Sequence, residues 1–138
     1  MNNKISLKEA VKFHGHLGPY LVLGVLAGEM ALKKLRCDKY FGLKVSVWGA
    51  GERPKSCLID GLQLATGATY GKGNITKRDG KVIKVKFLNR TNNRIITLRL
   101  KDNILRMLEE VKTHRGSEVL ARKLHREDCE KLFNIAGS

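Results

Sequence analysis

Residues 17–28 carry no charge, and this apolar segment constrains the fold of the 138-residue chain more than any other feature. It is shorter than the roughly 18 apolar residues that suggest a membrane-spanning helix. Proline is favourable in the first turn of a helix, so the pattern predicts a helix over Pro19–Leu35 whose first half is apolar on every side. Other elements must cover such a helix, and the length of the chain suits one domain over residues 1–138.

Two glycines, Gly24 and Gly28, lie four residues apart on one face of this helix. Because glycine has no side chain, the spacing predicts that another backbone packs closely against that face. The alternative interpretation is that the face docks onto a larger enzyme.

The other segments show the periods of helices and strands. Ser6 and Glu9 form a capping box that starts a short helix, which ends near Gly15. Strands are predicted over residues 44–48, 82–88 and 94–100, a helix over residues 57–66, and two or three short helices over residues 101–133. This order predicts an α+β fold, with a mixed, largely antiparallel sheet of about four strands covered by helices. Disorder is expected only at residues 1–4 and 136–138.

Charge and cysteine usage narrow the class of protein. The formal net charge is +14, and 16 of the 27 Lys and Arg residues lie in residues 72–126. Three cysteines and an N-terminus without an apolar segment predict a cytoplasmic protein, with no membrane partner. With one Trp, three Tyr and four Phe there is little aromatic surface for base stacking, so we expect nucleic-acid binding to be weak and unspecific. A basic nucleic-acid-binding module is the alternative function.

The first candidate site is His14-Gly15-His16, at the predicted helix end. Two imidazoles on either side of a flexible glycine can turn toward one point, and neutral imidazole binds zinc, nickel or iron. The alternative is that both histidines are partly buried and bonded to backbone carbonyls.

The second candidate is Cys57, at the start of the predicted third helix. The helix dipole, Arg53 and Lys55 all favour the thiolate, the form that binds metal, although an inert core cysteine is the alternative. Asp60 lies one turn further on, where its carboxylate could orient a ligand imidazole or serve only as a cap or ion-pair partner.

A glycine-rich segment, residues 67–74, follows that helix. Its spacing is one residue short of a Walker A phosphate loop, and Gly73 replaces the required Ser or Thr. Lys72 could still present its charge to an anionic group. His114, His125, Cys37 and Cys129 are interpreted as structural or solvated.

Two blocks of the chain, in order, resemble the family of the FmdE subunit of formylmethanofuran dehydrogenase. Phe13-His14-Gly15-His16-Leu17-Gly18-Pro19 is similar to the family pattern FHGH-x-CPG. Residues 57–74 read C-x-x-D-x-x-Q-x-x-T-G-A-T-x-G-K-G-N, where the family has Cys in place of the Ala. The resemblance implies a mixed α/β fold and a metal site built from these blocks. It further implies a source among methanogenic archaea, where the family is named for a complex that reduces carbon dioxide onto methanofuran.

The resemblance predicts a short, stand-alone member, since the four-cysteine zinc ribbon of many relatives is absent, and Gly18 and Ala68 replace two family cysteines. Three ligands remain for one divalent ion: His14, His16 and Cys57. Zinc is the first expectation, with nickel and iron as alternatives. Asp60 would orient a ligand, and Lys72 would hold an anionic substrate group near the mouth of the site.

The predicted function is therefore a metal-binding domain, either an accessory subunit or an orphan metal-dependent enzyme of one-carbon metabolism. The molybdenum or tungsten chemistry of the complex belongs to other subunits, so this chain is not expected to be the redox-catalytic one. A homo-oligomer or a larger enzyme complex is the expected assembly.

Overall fold

The computed structural model describes residues 4–137. Its helices are α1 (Leu7–His14), α2 (Pro19–Leu35), α3 (Cys57–Thr66), α4 (Asp102–Glu109), α5 (His114–His125) and α6 (Cys129–Leu132). Its strands are β1 (Leu43–Trp48), β2 (Ile75–Arg78), β3 (Lys84–Asn89), β4 (Ile95–Leu100) and β5 (Phe133–Gly137). The fold is α+β, as predicted.

The five strands form one mixed sheet in the order β2-β1-β3-β4-β5. Only β1 and β2 run parallel, because α3 connects them as a crossover, and the other neighbours are antiparallel. Side chains alternate between the two faces, and one face is buried, with Val45, Val47, Val85, Phe87 and Leu98 fully inside. The helices cover that face and leave the opposite face open.

Helix α2 is central, as its apolar sequence predicted. Its residues from Pro19 to Val25 are all buried. A Cβ added at Gly24 would overlap the carbonyl oxygen of Leu58, and one added at Gly61 would overlap that of Leu21. The glycines therefore let α2 and α3 pack backbone against backbone. The alternative of docking a larger enzyme through the Gly24 and Gly28 face is wrong, because α3 already covers that face.

The sheet has five strands where the sequence predicted about four. Strand β2 is only four residues long and follows the glycine-rich segment directly, so it lacks the period of a longer strand. Residues 136 and 137 were expected to be disordered but belong to strand β5, since Ala136 pairs with Thr97 and Gly137 with Ile96. The remaining residues expected to be disordered, 1–3 and 138, lie outside the described part of the chain, while Lys4 lies just before α1.

No single helix within residues 4–137 is long and apolar enough to cross a bilayer, whereas α1 and α2 taken together would qualify but are bent by 119°.

Candidate metal centre

The first histidine of the candidate site is fixed by a contact between α1 and α3. Gly15 adopts a left-handed conformation with φ 112° and ends α1, which leaves His14 as the last helical residue. The Nδ1 atom of His14 lies 2.6 Å from Oδ2 of Asp60, and only 11% of the His14 side chain is exposed. An ionised carboxylate only accepts hydrogen bonds, so Nδ1 donates to it, and in the neutral imidazole Nε2 then keeps its lone pair for another partner.

The second histidine stands between two other imidazoles. The His16 ring lies 4.9 Å from the His14 ring, centroid to centroid, and 6.0 Å from the His114 ring, with both pairs nearly perpendicular. His114 begins α5 and its Nε2 lies 3.1 Å from Oε1 of Glu118. The His16 ring thus has two imidazole neighbours, and each of them contacts one carboxylate: His14 contacts Asp60, and His114 contacts Glu118.

His114 is the functional candidate that the sequence did not reveal. The sequence alone favours a solvated residue, since it lies 98 positions after His16 and its own helix is basic. Only the packing of α5 against α2 brings the two rings together. No local pattern could have indicated this contact.

A cavity of about 270 Å³ opens beside these rings. His16, Cys57 and His114 line it together with apolar side chains that include Leu108 and Val111. Two of the three predicted ligands thus line one cavity, and the ring of the third, His14, lies next to the His16 ring with the centroids 4.9 Å apart.

Cys57 is the first residue of α3, as predicted, but the expected thiolate is wrong. Burial is the largest effect and raises the pKa of the Cys57 thiol; the Asp60 carboxylate raises it further, while Arg53 opposes both. Ser56 occupies the N-cap position without a capping hydrogen bond from its side chain. Burial and Asp60 together outweigh the nearby positive charges, so the metal-free thiol is protonated near neutral pH.

The donor set fits a borderline ion such as zinc in its chemistry, since imidazole and thiolate are both preferred zinc ligands. Within residues 4–137, however, no three His, Cys, Asp or Glu side chains converge on one point. The side chains would have to turn to enclose an ion. The exposed His16 ring borders the cavity and has room to turn, whereas a Cβ at Gly18, where the family pattern has Cys, would crowd its Cε1 atom at 3.3 Å.

Lys72 is not brought to this cavity. It lies beyond the C-terminal end of α3, and about 14 Å of helix separates that end from Cys57. Its Nζ atom lies 3.4 Å from the Thr69 hydroxyl and 5.7 Å from each of the Tyr40 and Phe41 rings. A substrate-binding role for Lys72 stays a prediction, but the position expected near the mouth of the site is wrong.

The other residues of the second block hold a loop in place. The amide of Asn74 donates to the carbonyl oxygens of Tyr40 and Leu43, and its oxygen accepts from the Thr69 N–H. The side chain of Gln63 accepts from the Tyr70 N–H. The C-terminal part of this block therefore builds structure, whereas Cys57 at its start lines the cavity.

Comparison with known proteins agrees with this fold. Residues 13–137 match the family described as "FmdE, Molybdenum formylmethanofuran dehydrogenase operon". The crystal structure of a protein from Syntrophus aciditrophicus, described as like the FmdE subunit of a tungsten formylmethanofuran dehydrogenase, has the same fold. It superposes with a TM-score of 0.64 at 19% identity, over 100% of this chain and 77% of that one.

A curated relative comes from Archaeoglobus fulgidus and is described as a probable S-adenosyl-L-methionine-binding protein. It is 33% identical over 79 residues, and the match covers 53% of this chain. The match covers 20% of that protein, so this chain corresponds to about a fifth of its length.

Proposed function

We propose that this chain, which belongs to the FmdE family, binds one divalent transition-metal ion through His14, His16 and Cys57. Zinc is the expected ion, with nickel and iron as alternatives, since two imidazoles and one thiolate suit all three. Three protein ligands leave one coordination position open, as in catalytic zinc sites.

The contact between His14 and Asp60 is the observation that carries this proposal. A histidine that binds metal through one ring nitrogen usually donates its other N–H to a carboxylate or a carbonyl, which fixes the ring. In the neutral ring, the 2.6 Å contact with Asp60 leaves Nε2 of His14 free to bind a metal, and the His14 and His16 ring centroids lie 4.9 Å apart. Asp60 thus has the position that a residue orienting a ligand needs.

Proton release should accompany binding. The Cys57 thiol must lose its proton to become a ligand, and burial together with Asp60 raises its pKa in the metal-free protein. The apparent affinity for zinc should therefore increase with pH. His114 lies on the same cavity and is available as a further nitrogen donor, on the side where Gly18 lacks the thiol of the family pattern.

The wider role follows from the family. We propose an accessory subunit or a metal-dependent enzyme of archaeal one-carbon metabolism, acting in the cytoplasm as a homo-oligomer or within a larger complex. A bound ion would supply Lewis acidity toward a carbonyl or a water molecule. The cavity walls include the apolar side chains of Leu17, Tyr20, Leu108 and Val111, which would lie beside a bound ion.

Metal content of untagged protein tests the proposal. We expect about one equivalent of zinc by elemental analysis, and its loss in the double variant His14→Ala/His16→Ala. His125→Ala is the matched control, because His125 ends α5 and does not line the cavity. Cobalt substitution adds a second readout, since a thiolate-to-cobalt absorption band should be present in the unaltered chain and absent in Cys57→Ser. Unchanged stoichiometry in the double histidine variant would refute the site.

A further inference from the structure

The charges of this protein are segregated between its two layers. The five strands contain six basic residues and no acidic one, within a chain that has 13 acidic residues in all. The basic strand residues are Lys44, Lys77, Arg78, Lys84, Lys86 and Arg99. Over residues 61–101, Asp79 is the one acidic residue against ten Lys and Arg. The helices, in contrast, mix both signs and carry a net charge of only +2, whereas the strands carry +6 with no acidic residue and the connecting segments carry the remaining +6.

Strand register places five of these six cations on the open face. Trp48 pairs with Arg78 on one side and Lys84 on the other, and Lys84 pairs in turn with Arg99. These four residues form one row across four strands. Lys86 lies in the next row, and Lys44 in the third. Lys77 pairs with Val47 of the buried face, and its Nζ contacts the Gly51 carbonyl oxygen instead.

This arrangement is unfavourable for the isolated domain. Lys84 and Arg99 are directly opposite each other on neighbouring antiparallel strands, where like charges destabilise a sheet. A pair of opposite charges at such positions would stabilise the sheet by about 0.2–1 kcal/mol, but the described strands contain no acidic residue to form one. A row of cations without counter-charges is typical of a surface that receives an anionic partner.

The only tryptophan of the chain lies in the middle of this row. Trp48 is partly exposed, with the Nζ of Lys84 4.6 Å and the guanidinium carbon of Arg78 5.9 Å from its ring. The sequence contains few aromatic residues for stacking, and the fold brings this one between two cations. Both cations lie over the ring, so their flexible side chains must move aside before a base can stack on it and would then contact phosphates. Sites for single-stranded nucleic acids combine an aromatic ring with a basic surface in this way.

We propose that the open face of the sheet binds single-stranded RNA without sequence preference. The five cations contact phosphates and Trp48 receives one base. The row next to Trp48 contains hydroxyl groups on both sides of Lys86, since Ser46 and Thr97 are its direct cross-strand neighbours. Hydroxyls can donate to and accept from the ribose 2′-OH, which favours RNA over DNA.

The number of cations fixes the expected salt dependence. For single strands the slope of log K against log salt is about −0.7 per phosphate neutralised, so five contacts predict a slope of about −3.5. Affinity should then fall about 100-fold between 50 and 200 mM salt. At physiological salt the dissociation constant should lie in the non-specific range of about 10⁻⁶–10⁻⁴ M.

A labelled 12-nucleotide oligouridylate, titrated over that salt range and followed by fluorescence anisotropy, tests the proposal. The variant Lys86→Gln/Arg99→Gln removes two exposed cations of the face and should reduce the slope to about −2.1. Lys8→Gln/Arg122→Gln removes two exposed helical cations with the same change of net charge and is the matched control, whose slope should stay at about −3.5. Intrinsic fluorescence should change on binding, because Trp48 is its only tryptophan source.

Three results would overturn the proposal. Equal loss of affinity in the two double variants would mean that net charge alone attracts the RNA. Unaltered Trp48 fluorescence at saturation would move the binding site off this face. Tighter binding of duplex RNA, of oligodeoxyuridylate or of a poly-glutamate peptide of equal charge would exclude single-stranded RNA as the partner.

Discussion

Replacing Gly24 with alanine tests how closely α2 must approach α3. In an isolated helix this change would stabilise by about 1 kcal/mol, because alanine is the better helix former. In this protein the added methyl group would overlap the Leu58 carbonyl oxygen and lie 2.9 Å from its carbonyl carbon and 3.0 Å from the nitrogen of Leu62. These are backbone atoms of a buried helix and cannot rotate away. Helix α3 would have to move as a body.

The expected cost is the difference between two effects. Forcing an extra methyl group into a packed core costs about 1–3 kcal/mol, and a clash with backbone belongs at the upper end of that range. Subtracting the gain in helix propensity leaves a net loss of about 2 kcal/mol in the free energy of unfolding. Because α3 also carries Asp60, its displacement should disturb the contact with His14 and weaken metal binding.

Urea denaturation followed by circular dichroism measures this loss. Gly71→Ala is the matched control, since the nearest atom to its added Cβ is the Thr69 hydroxyl oxygen at 3.8 Å. Gly28→Ala should fall between the two, because its new methyl group would meet side-chain atoms, with the Ala65 Cβ at 2.8 Å. A Gly24→Ala protein as stable as the unaltered one, or a control that loses equally, would refute the close packing of α2 on α3.

Three further predictions follow from single groups. Asp60→Asn should lower the pKa of Cys57 and accelerate its alkylation near pH 7 in metal-free protein, with the Cys37 rate unchanged as the internal reference. Burial and, secondarily, Glu130 raise the pKa of Cys129 to about 12. As the pH rises, the thiol therefore ionises first in the unfolded chain. The free energy of unfolding should then fall by up to about 1.4 kcal/mol per pH unit above about pH 9. Cys129→Ala should remove that dependence, and an equal slope in this variant would assign it to other groups. Asn74→Ala should cost about 2–3 kcal/mol in urea denaturation, since it leaves the Thr69 N–H and two carbonyl oxygens without their partner.

The sequence predicted the elements whose local pattern is strong. The apolar α2 and the capping box of α1 are examples, and both are confirmed. Strands β2 and β5 were missed, because each lies at an edge of the sheet and is stabilised by pairing with a long neighbour. An edge strand of four or five residues has little periodicity of its own, so only the tertiary structure reveals it.

The candidate site was predictable to the extent that its residues lie in motifs. His14 and Asp60 are 46 positions apart and nevertheless meet, as the interpretation of Asp60 requires. The protonation of Cys57 was not predictable, since it depends on how deeply the helix start is buried. His114 was not predictable either, because α5 reaches His16 only after the helices have packed.

The proposed metal centre and the basic face lie on opposite sides of the sheet, and this separation leads to a last prediction. The cavity beside His16 belongs to the helical layer, whereas Lys86 and Arg99 point away from it. At 0.1 M salt the Debye length is about 10 Å, and charges separated by more than this are largely screened from each other. Removing two face charges should therefore change the zinc affinity less than about twofold. By the same reasoning, His14→Ala/His16→Ala should leave RNA affinity unchanged if the domain stays folded. Competition titrations with a zinc chelator measure the zinc affinity, and anisotropy titrations with oligouridylate measure the RNA affinity. A reciprocal change of more than about fivefold would show that one structural element couples the two sites, and α3, which joins β1 to β2 and begins with Cys57, would be that element.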